Sequence, residues 1–418
     1  MSHRTQLNRR WMTVIAGFLV VAVAIVVVTV VNDRTASRSP VVRSAPLVEF
    51  STVAATDADI RDRNIDFYAA RAASDPASSS DRLAVAGLLF ARSRTNGSVA
   101  DLARAEALAR ESVALRMQRN GQAFELLASV LMARHAFAEA RAVALRADSL
   151  EPANPSHLAL LGEIELELGD YAAAATHFGA IYYDRQQFTI GARLARWYEV
   201  TGRADMARLF LKNAITHVDE RDDLPREQIA WFHYRLGELE LRLGNFTAAD
   251  SALQDGLRRN PDDVRVLGAL SRLALARSDW SRAIEYGDRA TGVQLDPTTL
   301  GAVSRAYAAQ GDTAQATAYA RAMSVSALKQ PGVIHRAWGL FLLDHGTPSE
   351  RAEVLARAER ELRDRKDVYG HDLVAWALYR TGHGDEARRE MAMAVSQHTQ
   401  DQMLVAHAAA IDVGVLPR

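Results

Sequence analysis

Apolar residues along most of this chain recur at intervals of three and four, the spacing of helices with one buried stripe. From Asp57 onward that spacing scarcely lapses, and no alternating apolar and polar stretch persists long enough for a strand. The expectation is an all-α protein. One segment breaks the pattern. Trp11–Val31, "WMTVIAGFLVVAVAIVVVTVV", carries no charged residue across 21 positions. As a helix rising about 1.5 Å per residue it would reach about 31 Å, which matches a hydrocarbon core. A cleavable signal peptide usually has an apolar region of about 7–15 residues followed by a small-residue cleavage site. The sequence after Val31, "NDRTASRSP", offers no such site, so the run is expected to remain as a single transmembrane helix.

Arg4, Arg9 and Arg10 precede the run, while Arg34, Arg38 and Arg43 follow it. Arg9 and Arg10 abut the apolar segment, and a short basic tail is costly to export. The expected topology therefore keeps residues 1–10 in the cytoplasm and the large C-terminal part on the outer side of the cytoplasmic (inner) membrane, the periplasmic side in a diderm cell. Residues 32–56, with Pro40 and Pro46 among serines and arginines, read as an extended linker. Residues 57–418 form the helical part.

Within that part the chain repeats itself. "LALLGEIELELGDYAAAATHF" (158–178) returns as "YRLGELELRLGNFTAADSAL" (234–253), small residues matching small ones. Other copies carry Leu127-Ala128 with Phe137 and Ala140, Leu194-Ala195 with Tyr198 and Ala207, and Leu270-Ser271 with Trp280 and Ala283. Further copies carry Val303-Ser304 with Tyr307 and Ala316, Trp338-Gly339 with Ala358, and Val374-Ala375 with Ala387. A period of about 34 residues marks paired helices stacked in a solenoid, because one pair cannot bury its apolar face alone. Glycines at 169, 202, 244, 311 and 382 are placed to end the first helix of each pair in the left-handed conformation. These units resemble tetratricopeptide repeats. The resemblance implies a right-handed α-solenoid of about eight or nine helix-turn-helix units, opened by a less regular unit around Gly87 and Phe90. Residues 403–413 would be the closing helix. The insertion "HVDERDDLPREQ" (217–228) is expected either to bend the array or to contact something.

Composition narrows the chemistry. The 418 residues are 49% hydrophobic and 24% charged with a net charge of −1, which weighs against a nucleic-acid partner. Without cysteine there is no disulfide, thiolate nucleophile or thiolate zinc site. The twelve histidines form no pair at metal-site spacing. No phosphate loop, nucleophile elbow or dinucleotide fingerprint is present. The runs "ERDD" (220–223) and "DRKD" (364–367) read as solvated loop charge. No catalytic residue, cofactor, metal or small-molecule substrate is expected.

What remains is a surface. In the resembled family the first helices line a concave groove that holds peptides or partner helices. On that register Arg196, Trp231, Tyr234, Glu238, Arg272, Arg305, Arg336, Trp376 and Tyr379 would face inward as a protein-binding groove. Arginines and aromatics are frequent interface anchors, and arginine grips carboxylates through two hydrogen bonds. The reading is a non-catalytic, membrane-anchored scaffold that binds other proteins as an assembly factor or accessory subunit of a membrane complex. The alternative is a structural subunit whose valine-rich transmembrane helix packs into a multi-subunit complex while the solenoid caps its outer face.

Overall fold

The computed structural model describes residues 56–329 and 333–413. The expected anchor at 11–31 and nearly all of the linker lie outside the described residues. Among those described, no helix is long and apolar enough to cross a membrane.

Every element among the described residues is helical. A single helix α1 (Asp57–Ser74) comes first. It is followed by the hairpins α2–α3 (Ser79–Asn96, Val99–Leu115), α4–α5 (Gly121–Ala133, Phe137–Leu150) and α6–α7 (Pro155–Leu168, Tyr171–Ala180). The middle hairpins are α8–α9 (Phe188–Val200, Ala204–Asp219), α10–α11 (Arg226–Arg242, Phe246–Arg259) and α12–α13 (Val264–Ala276, Trp280–Thr291). The last are α14–α15 (Pro297–Ala309, Thr313–Ala327), α16–α17 (Arg336–His345, Pro348–Glu361) and α18–α19 (Val368–Arg380, Gly384–Ala394), closed by α20 (Gln402–Val413).

Local chemistry sets the boundaries. Asp263, Asp279, Asp296 and Asp312 each accept a hydrogen bond from a backbone N–H in the first turn of the helix they precede. All five glycines expected to be left-handed have positive φ, for example +74° at Gly169 and +71° at Gly202. Inside a hairpin, small residues of the first helix admit large ones of the second. A Cβ on Gly162 would overlap the ring of Phe178, which is 2% exposed.

Stacked hairpins rotate slightly at each step. Here the rotation carries the chain back over itself after about six units of the 34-residue period. Turns within early hairpins then meet connections between late ones. Tyr171 Oη accepts from the Val368 N–H at 2.9 Å, 197 residues away. Thr399 Oγ1 donates to the Glu199 carbonyl at 3.4 Å, and Gln400 Nε2 donates to the Gly202 carbonyl at 2.9 Å. Arg365 pairs with Glu167 at 3.0 Å, and His135 Nδ1 lies 2.9 Å from Glu361 Oε1. A Cβ at Gly169 would overlap the carbonyl oxygen of Lys366, and one at Gly202 that of His398. This line of contacts forms a seam between two windings. One apolar cluster spans both sides, from Leu166, Phe178 and Leu194 to Trp338, Leu373 and Trp376.

One sequence expectation needs revision here, and another gains its detail. The "DRKD" connection is not solvated throughout: Asp367 is 3% exposed and caps α18 by accepting from the Gly370 N–H at 2.7 Å. The reason is the seam, which covers that connection with α6–α7. The insertion at 217–228 receives the start of α1, since the Arg226 N–H donates to Asp57 at 2.7 Å and Glu227 pairs with Arg61 at 2.9 Å. Its "ERDD" stretch is exposed as expected.

Candidate functional site

The first helices of the middle hairpins point long polar side chains toward the axis of the superhelix, because their small residues face the second helices. Five of the nine candidate residues meet there: Arg196, Tyr234, Glu238, Arg272 and Arg336. Glu238 and Arg272 pair beside Tyr234, while Arg196 meets the second winding's Arg336 across the ring of Tyr369.

Glu199, one helical turn beyond Arg196 on α8, is the hub. Its side chain is 7% exposed and accepts from Arg242 and from Arg235 at 3.2 Å, with the Arg196 guanidinium 3.5 Å away as an ion pair. Glu238, 4% exposed, takes Arg272 and Arg242. On the other winding Arg336 pairs with fully buried Asp372, which also accepts from His407 Nδ1 at 2.8 Å. The ring of Tyr369 joins the halves, with the Arg196 guanidinium 5.2 Å and that of Arg336 5.0 Å from its centroid.

These carboxylates stay ionised although buried. Burial alone would raise Glu199, but Arg242, Arg196 and Arg235 outweigh it and hold its pKa at about 2. Glu238 is lowered in the same way, burial being overcome by Arg272 and Arg242. Burial also opposes ionisation of Asp372, and Arg336 with His407 reverses that effect. Tyr234 is raised by burial and by the nearby Glu238 charge, so its hydroxyl stays neutral. The arrangement is a polar interior in which five arginines share three buried carboxylates. It ties α8, α10 and α12 together on one winding and α16, α18 and α20 on the other, with Tyr369 between them.

The other candidates lie elsewhere. Trp231 packs edge-on against Phe232 with centroids 4.8 Å apart, beside the Ala192, Val218 and Ile229 cluster. Arg305 is exposed. Trp376 is 1% exposed, stacks on His407 at 4.2 Å and donates from Nε1 to Asp344 at 3.0 Å, which makes it a core residue. Tyr379 lies half-buried beside it at 5.5 Å. Residues that sequence reasoning passed over include Glu199, Arg235, Arg242, Tyr369 and Asp372. The i, i+3 spacing of Arg196 and Glu199 and the i, i+4 spacing of Glu238 and Arg242 were the available signals. Among the described residues no group of three or more histidine or acidic side chains is placed to hold a metal ion.

The stacked hairpins, eight of the nine turned by a residue of positive φ, define an α-solenoid of tetratricopeptide type. Residues 234–298 match the tetratricopeptide repeat family model. Among solved structures, a chain of the APC/C hetero-tetramer Cut9–Hcn1 is similar at 18% identity with a TM-score of 0.51, over 77% of this chain and 59% of that one. This chain thus spans less than two thirds of that relative's length. A chain of the human IFIT1 dimer with PPP-AAAA aligns at 13% identity and a TM-score of 0.47, over 82% and 96%. PilF of Pseudomonas aeruginosa aligns at 16% and 0.40, over 54% and 97%. No curated protein sequence matches the chain.

Proposed function

We propose that this protein is a non-catalytic scaffold, anchored by residues 11–31 in the cytoplasmic membrane, whose repeat domain binds other proteins on the outer side. It would act as an assembly factor or accessory subunit of a membrane complex. The observation that carries this reading is the unbroken stack of nine hairpins between α1 and α20, a fold whose product is extended surface. The uncharged run at 11–31 supports the anchor. The test is affinity purification of the tagged full chain from gently solubilised membranes. Stoichiometric membrane proteins in the eluate support the reading, and an eluate holding the bait alone sinks it.

A second reading has its own support. Because Arg196, Glu238, Arg272 and Arg336 are already paired within the chain, the interior offers little to exchangeable clients. In that version the transmembrane helix packs into a larger complex and the solenoid caps it. Replacing residues 11–31 with an unrelated apolar span separates the two, since lost association favours the helix and retained association favours the solenoid.

A further inference from the structure

We propose that the seam is a clasp: α16–α20 release the inner face of α8 and the C-terminal end of α10 together and then re-close, and a partner reaches Arg196, Arg242 and Glu167 only in the released state. The partner-access half of this rests on the scaffold reading. The occupant it implies is an extended segment of a partner protein that presents main chain to the hairpin turns and an arginine to Glu167.

That chemistry is read from what occupies the face now. The carbonyls of Lys366 and His398 lie against the Gly169 and Gly202 turns, the Val368 N–H donates to Tyr171 Oη, and Arg365 sits on Glu167. Most of these are main-chain contacts that any extended segment makes. The structure also favours release over rigid closure in two respects. First, α15, the helix preceding the clasp, buries only Met323 and Ala327 and leaves Val325 68% exposed, with Leu328 just beyond it 42% exposed. By contrast α9 buries six residues, so the clasp is held by its seam more than by its sequence neighbour. Second, Arg196 Nη1, Arg336 Nε and the Tyr369 hydroxyl are buried at the seam without a hydrogen-bond partner. Each unsatisfied group subtracts from the stability of the closed state.

A chain without cysteine makes the test direct. Thr399→Cys places a thiol at the seam, where the native residue is 6% exposed, and Ala195→Cys places one in the α8 core at 1%. Labelling of the full chain with a thiol reagent under native conditions reads each opening. The expected result is that Cys at 399 labels at least about tenfold faster than Cys at 195, because release is a smaller event than unfolding. Adding Arg365→Glu should raise the rate at 399 by about tenfold with the rate at 195 unchanged. Pairing it with Glu167→Arg should restore the slow rate. Equal rates at the two positions, or rates that rise together in Arg365→Glu, would overturn the clasp. For partner access, Arg365→Glu should recover more partner from solubilised membranes than the unaltered chain does, and equal recovery overturns that half. Differential labelling with no partner from any variant would leave the clasp standing and sink the scaffold reading instead.

Discussion

Gly202 and Gly382 hold the same place in their hairpins, each ending a first helix with positive φ, +71° and +91°. Their surroundings differ. A Cβ on Gly202 would overlap the His398 carbonyl, whereas nothing lies within 4 Å of one on Gly382. One glycine is required twice, by its own backbone and by a strand of chain 196 residues further on; the other is required once. The same contrast separates Gly169 from Gly311. Identical local signals thus conceal two kinds of site, and only the winding of the whole array tells them apart.

The contrast can be broken most forcefully at the seam's charge hub. Glu199→Ala leaves Arg196, Arg235 and Arg242 without their shared partner, and should cost about 3–5 kcal/mol in denaturant unfolding. A loss no larger than that of an exposed pair would mean the windings do not depend on it. The same residue sets an acid limit. Its folded pKa of about 2 lies below the ordinary 4.5. Its contribution is therefore complete above about pH 4.5 and lost as pH falls toward about 2. Across that window Glu199→Gln should lose less stability than the unaltered chain.

The glycines come next. Gly202→Ala combines left-handed strain of about 1 kcal/mol with overpacking of about 1–3 kcal/mol, for a total of about 2–4 kcal/mol. Gly382→Ala should cost only about 1 kcal/mol. Equal shifts in thermal midpoint would erase the distinction. Thr347→Ala, which removes the reciprocal cap with Glu350 at the start of α17, should cost about 1 kcal/mol by the same measurement. The smallest effect belongs to the free edge. Arg388→Ala breaks an exposed pair with Asp385 on α19 and should move stability by no more than about 0.5 kcal/mol.

Hairpins, their left-handed glycines and the closing helix were legible in the sequence because each depends on residues within one 34-residue unit. The five expected positive-φ glycines all appear, with Gly97 added, and His135 and Ser278 take the same conformation without being glycine. The winding was not legible. It accumulates from small rotations between units, and no motif records their sum. For that reason nothing in the "GDY" turn itself signals that the Tyr171 hydroxyl reaches Val368. The register that put Arg196, Glu238 and Arg272 on the inner face located the right helices. Trp376 shows its limit, since a side chain one position off that face enters the core between α18 and α20. The meeting of Arg196 with the Tyr369 ring was missed because Tyr369 lies on the opposite winding.

The separation of seam contacts also has a consequence in time. Tyr171 must wait for Val368, and Gly202 for Gln400, 197 and 198 residues later in the chain. At a synthesis rate of about 5–20 residues per second that wait is roughly 10–40 s. Early hairpins, whose own contacts are local, can stack well within it. Each newly made copy therefore passes through an interval in which its arginine-lined interior is assembled and uncovered, before the segment that covers it has left the ribosome.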